Sequence, residues 1–87
     1  MVWSIRFTEE AREGLHDLHI DKQREIKRAV KKLANGSEKG KALTGRLERF
    51  YSFRIGKYRI VYTLDKDFLT VHVVGHRRDV YKLSGGD

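Results

Sequence analysis

The chain has 87 residues, a net charge of +7 and an apolar fraction of 39%. That length holds one domain, residues 1–87, with a thin core, which leaves no room for a β/α barrel or a dinucleotide-binding fold with its own substrate domain. The absence of Cys removes any disulfide framework or thiolate metal site. No apolar run approaches the roughly 20 residues of a membrane span, and Met1–Arg6 lacks the apolar stretch of a secretory signal, so the expectation is a small, folded protein of the cytoplasm with no membrane partner.

In chain order, Val2–Phe7 alternates with Trp3, Ile5 and Phe7 on one side, the pattern of a half-buried strand. Thr8 stands where a helix N-cap belongs, and Glu9 and Glu10 put negative charge in the first turn. Ala11, Leu15 and Leu18 follow at helical spacing, and Gly14 predicts that this helix is short. Asp21 is read as the cap of a second helix whose apolar stripe is Ile26, Ala29, Val30 and Leu33, with Asn35-Gly36 as its stop. The short His19-Ile20 link makes the pair an antiparallel hairpin. Residues 36–46 hold three glycines and little periodicity, and read as a loop anchored by Leu43. Three alternating segments follow: Tyr51–Ile55, a Gly56-Lys57 turn, Tyr58–Leu64, an Asp65–Asp67 turn, then Leu69–Val73, with Gly75 ending the last strand. The whole is an α+β architecture: strand, two helices, then an antiparallel meander with the helices on one sheet face. Residues 84–87 are expected to be a disordered tail.

The charge is uneven. Residues 1–21 carry −3, residues 22–59 carry +10, and residues 60–87 balance. A block this basic attracts polyanions, nucleic acid or nucleoprotein first, although an acidic protein could use the same surface. Within the strands, a two-residue Gly56-Lys57 hairpin would set Arg54 directly opposite Arg59. Like charges so placed repel unless an anion sits between them, or unless carboxylates such as Glu48 or Asp79 neutralise them. The segment Gly75–Tyr81 adds an imidazole, two guanidinium groups and a phenol within seven residues. Arginine forks suit phosphate oxygens, and His, Lys or Tyr can carry protons. His16, His19 and His72 read as structural. No metal-ligand spacing and no phosphate-cradling glycine loop is present, so any catalysis would use cations and a proton carrier without a cofactor, a description that fits cleavage of RNA by its own 2′-hydroxyl.

Two stretches, Arg54-Ile55-Gly56-Lys57-Tyr58-Arg59-Ile60-Val61-Tyr62 and Val73-Val74-Gly75-His76-Arg77-Arg78-Asp79-Val80-Tyr81, together with Leu43-Thr44-Gly45 and Leu47, resemble the RelE/ParE toxin superfamily, over nearly the whole chain. The resemblance implies a RelE-like, microbial ribonuclease-type fold and the toxin of a type II toxin–antitoxin pair. RelE-like members cleave messenger RNA in the ribosomal A site; ParE-like members poison DNA gyrase. By position, Arg59 matches the arginine that contacts the substrate phosphate, Arg77 the arginine near the leaving group, and Tyr81 the tyrosine that orients or stacks on the substrate. Arg54 and Ser52 match positions that are often lysine in ribosome-dependent members, and a guanidinium is a poor general base. Lys57 and His76 are the remaining candidates for proton transfer. The resemblance also implies an antitoxin, the ribosome and messenger RNA as partners. Lys22, Lys27, Arg28, Lys31 and Lys32 of the second helix would dock on ribosomal RNA.

Overall fold

The computed structural model describes residues 3–45 and 49–76. The elements are β1 (Ser4–Phe7), α1 (Glu9–His16), α2 (Ile20–Ala34), β2 (Lys41–Ala42), β3 (Tyr51–Ile55), β4 (Tyr58–Leu64) and β5 (Phe68–His76). They form a five-stranded sheet in the order β1-β5-β4-β3-β2. β2 to β5 are antiparallel neighbours, while β1 lies parallel to β5. Such a parallel pair needs a long crossover, and the helices are the part of it that packs on the sheet.

Thr8 caps α1 as its sequence position predicts: Oγ1 accepts the Ala11 N–H at 3.1 Å, and it also donates to the His72 carbonyl. One side chain thus fixes the helix start and ties it to β5. Gly14 does more than shorten α1. A Cβ there would collide with the Val74 carbonyl oxygen of β5, so the missing side chain lets helix and strand backbones approach. The second helix begins two residues earlier than expected. His19 is its cap, with Nδ1 accepting the Asp21 N–H at 3.2 Å, and Asp21 lies in the first turn instead, where its charge favours the helix dipole. Asn35 caps the other end, followed by Gly36 at φ 84°.

Ala11, Leu15, Ile26, Val30, Leu33 and Ala34 of the helices meet Ile60, Tyr62, Leu69, Val71 and Val74 of the sheet in one core. Full burial of an aliphatic side chain of this size stabilises by roughly 1.5–3 kcal/mol. Both helices therefore cover the same sheet face, and among the described residues no helix lies over the other.

Several strand boundaries differ from the sequence reading: β1 begins at Ser4, leaving Trp3 outside it, and β5 begins at Phe68. The segment expected as loop contains β2, where Lys41 and Ala42 pair with Ser52 and Tyr51. A part-buried tether holds it there, because the Gly40 N–H donates to the Tyr62 hydroxyl at 2.9 Å. Gly75 does not end β5. Gly75 and His76 continue it as partners of Arg59 and Tyr58, since the start of β4 would otherwise lack a neighbour on that side. A bulge between Val61 and Tyr62 leaves His72 as the extra residue of β5. The proposed tail, residues 84–87, lies outside the described residues.

Candidate functional site

The hairpin register is Ile55↔Tyr58 and Arg54↔Arg59, the pairing that a two-residue turn requires. Gly56 supplies the turn's positive φ, 59°. Arg54 and Arg59 thus project side by side from the helix-free face, at the end of the sheet where β4 and β5 meet the hairpin. Arg59 is half-buried, and its Nη1 donates to Ser52 Oγ at 3.2 Å. Ser52 is itself buried. The register places it two residues along from Arg54 on the same face, where it orients the guanidinium that the sequence reading singled out. That role for Ser52 was missed; the odd–even parity it shares with Arg54 was the available signal.

Lys57 and His76 come together with Arg54 and Gly56 around a depression of about 350 Å³ at the hairpin tip. The His76 ring meets the Tyr58 ring edge-on, 5.9 Å between centroids. Pairing with Tyr58 puts His76 on the opposite face from Arg59, so the depression wraps the end of the sheet and does not lie on one face. Arg77 and Tyr81, the other two expected site residues, lie outside the described residues, as do Glu48 and Asp79, the proposed counter-charges.

The helix-free face is uniformly cationic in its strands. Arg6, Lys41, Arg54 and Arg59 are the only charged residues in the five strands, and none of the strands carries an Asp or Glu. Register places all four on this face, in line with Thr70, Ser52 and each other. Here too lies His72, which shares a 2.9 Å hydrogen bond with Thr63 Oγ1 and meets the Phe50 ring edge-on at 5.0 Å. Burial holds its pKa below the ordinary imidazole value, partly offset by the Glu10 carboxylate. A neutral, packed ring is a structural histidine, as the sequence reading had it.

On α2, Lys22, Lys27, Arg28, Lys31 and Lys32 are all exposed, opposite the buried Ile26 and Val30. Lys22 pairs with Glu25 at 3.2 Å. Arg28 and Lys32 border a groove shared with Phe53, Arg54 and Ile55 of β3, whereas Lys27 borders a groove on the β1 side. The basic helix therefore flanks the arginine pair on one edge only. Among the described residues, no cluster of His, Asp or Glu could hold a metal ion, and no helix is long and apolar enough to cross a membrane.

Comparison with known proteins places this arrangement. Residues 5–81 match the model of the ParE toxin of type II toxin–antitoxin systems. The chain is 36% identical to Toxin RelG of Mycobacterium tuberculosis over 90 residues, covering 94% of this chain and 99% of that protein. Its fold is similar to a chain of the RelBE2 toxin–antitoxin complex of Mycobacterium tuberculosis, with a TM-score of 0.66 and 32% identity over 88% of this chain and 100% of that one. It also resembles a mutant of the Escherichia coli toxin RelE in the free state, with a TM-score of 0.78 over 97% of this chain and 93% of that one; at 18% identity that likeness is one of fold. The strand–helix–helix–meander order and these matches agree: the chain belongs to the ParE toxin family of type II toxin–antitoxin systems, within the RelE/ParE superfamily.

Proposed function

We propose that this toxin is a ribosome-dependent endoribonuclease that cuts messenger RNA in the A site and so stops translation. The observation that carries the reading is the Arg54–Arg59 pair. Two guanidinium groups abreast on neighbouring strands offer planar forks that can hold one phosphate by charge-assisted hydrogen bonds. In the reaction proposed, a ribose 2′-oxygen attacks the adjacent phosphorus in line and gives up its proton. The P–O5′ bond breaks, and the departing oxygen takes a proton. The products are a 2′,3′-cyclic phosphate and a 5′-hydroxyl. Arg54 and Arg59 stabilise the extra negative charge of the pentavalent transition state, with Ser52 holding Arg59 in place. Lys57 and His76 are the proton carriers within reach of Arg54. By family position, Arg77 assists the leaving oxygen and Tyr81 orients the message. The exposed cations of α2 supply phosphate contacts to ribosomal RNA.

The partner that holds the toxin inactive is a cognate antitoxin, as in the RelBE2 complex that this chain resembles. A mostly disordered acidic segment would gain by covering the cationic face and α2. Both activities belong in the cytoplasm, where ribosomes are.

Expression of the toxin without a partner, with message ends mapped on and off ribosomes, tests the reading. Cuts inside reading frames are expected. The second reading, gyrase poisoning without chemistry, is favoured by the ParE match, and predicts intact messages with DNA breaks.

A further inference from the structure

The helix-free face carries a second built feature, remote from the hairpin. Arg6 of β1 sits over the ring of Phe68 of β5, with Cζ 3.7 Å from the ring centroid. Arg6 is exposed. Among the described residues it makes no ion pair within 4.0 Å. The carboxylate of Asp65, which feels the charge of Arg6, is already held by the N–H groups of Asp67 and Phe68 at 2.8 and 2.7 Å. Arg6 is also in register with Thr70, and Thr70 with Thr63. Thr63 is hydrogen-bonded to His72, and His72 packs against Phe50. A row of rings and hydroxyls thus crosses the sheet and ends at the Arg6–Phe68 cation–π pair.

We propose that the Arg6–Phe68 pair, at the end of this row, is a nucleobase-stacking site for single-stranded RNA that flanks the phosphate held by Arg54 and Arg59. The inference rests on the RNA reading above and adds a subsite to it. Arg59 and Thr63 are four residues apart on β4, about 13 Å at strand rise, and Arg6 lies two strands beyond, about 10 Å. An extended RNA strand covers that diagonal in a few nucleotides. Charge argues for RNA over an acidic protein only together with the rings. A carboxylate needs a cation alone, whereas a planar guanidinium braced on Phe68 offers a flat surface on which any base can stack.

The test is binding of fluorescein-labelled octaadenylate and triadenylate RNA to the full chain across a salt series, with melting curves to show that each variant folds. The octamer spans both features and the trimer only the arginine pair. Arg6→Gln should weaken the octamer about tenfold and lower its salt slope by about one, leaving the trimer unchanged. Arg6→Lys should restore the salt slope but not the affinity, because an ammonium does not stack. Phe68→Leu should behave like Arg6→Lys. An octamer indifferent to Arg6→Gln, or not bound at all, overturns the stacking site, and so does full rescue by Arg6→Lys, which would make the contact one of phosphate alone. An octaglutamate peptide is the control for the other occupant. If Arg6→Gln weakens the peptide and spares the RNA, the patch is a protein contact and the proposal is wrong. Failure of the RNA reading itself shows elsewhere, as intact messages in the expression experiment.

Discussion

In the proposed reaction Arg54 serves the phosphate and not the fold. It is exposed and directly opposite Arg59. Arg54→Thr replaces an exposed strand residue with one that suits strands, so stability should stay within roughly 0.5 kcal/mol of the parent. The same change should lower cleavage by about 10²–10³ in rate, the usual effect of deleting one donor to a developing anion. Urea denaturation and message cleavage on ribosomes measure the two effects separately. A variant as toxic as the parent would place the active centre elsewhere. Arg77→Ala should likewise abolish toxicity if its family role carries over. His72 predicts a pH dependence with a definite sign. Its folded pKa lies below the ordinary value of about 6.5, so as pH falls through 6.5 the unfolded chain takes up a proton that the folded chain refuses. Stability is full above that range and declines on acidification toward the folded pKa. Asp65, whose carboxyl is held below its ordinary 3.8 by the Phe68 and Asp67 amides, loses its contribution only at still lower pH. Melting temperature should therefore fall between pH 7 and 5, and His72→Gln should flatten that slope.

At the scale of elements, the α1–β5 contact decides how the end of β5 is placed. Gly14 faces the Val74 carbonyl, and Val74 precedes Gly75, the partner of Arg59. By helix propensity alone, Gly14→Ala should stabilise α1 by about 1 kcal/mol. The packing predicts the reverse: the added methyl meets backbone, which cannot rotate away, and should destabilise by roughly 1–3 kcal/mol. A urea midpoint that rises on this substitution would show that α1 shifts freely over the sheet. The elements most readable in the sequence were those with local signals, such as the Thr8 cap, the α2 stripe and the glycine turn that fixes Arg54 opposite Arg59. β2 was not readable. Two residues carry no period, and what makes them a strand is the distant Tyr62 hydroxyl holding Gly40.

At the scale of the molecule, two surfaces among the described residues gather cations, the helix-free sheet face and the outer side of α2. Reversing Lys27, Arg28, Lys31 and Lys32 to Glu should greatly weaken association with ribosomes, and added salt should weaken the parent in the same way. These four side chains are exposed, so the fold should survive. Sedimentation with ribosomes at two salt concentrations reads the effect, and binding that ignores both changes would remove α2 from the docking surface.

The sequence by itself determined the element types, the single-faced helical layer and the opposition of Arg54 to Arg59. Each of these follows from contacts between residues close in the chain, where period, caps and turn geometry act directly. The motifs at Arg54–Tyr62 and Val73–Tyr81, with Leu43-Thr44-Gly45 and Leu47, likewise carried the resemblance to the superfamily. Only the tertiary structure decided that β1 inserts beside β5, that Ser52 orients Arg59, that Lys57 and His76 share a depression with Arg54, and that Arg6 sits over Phe68. In the last pair, 62 positions separate residues whose meeting depends on a parallel register. No local period encodes that register, because it is selected by which strand edge is left open once the helices have buried their apolar faces against the sheet.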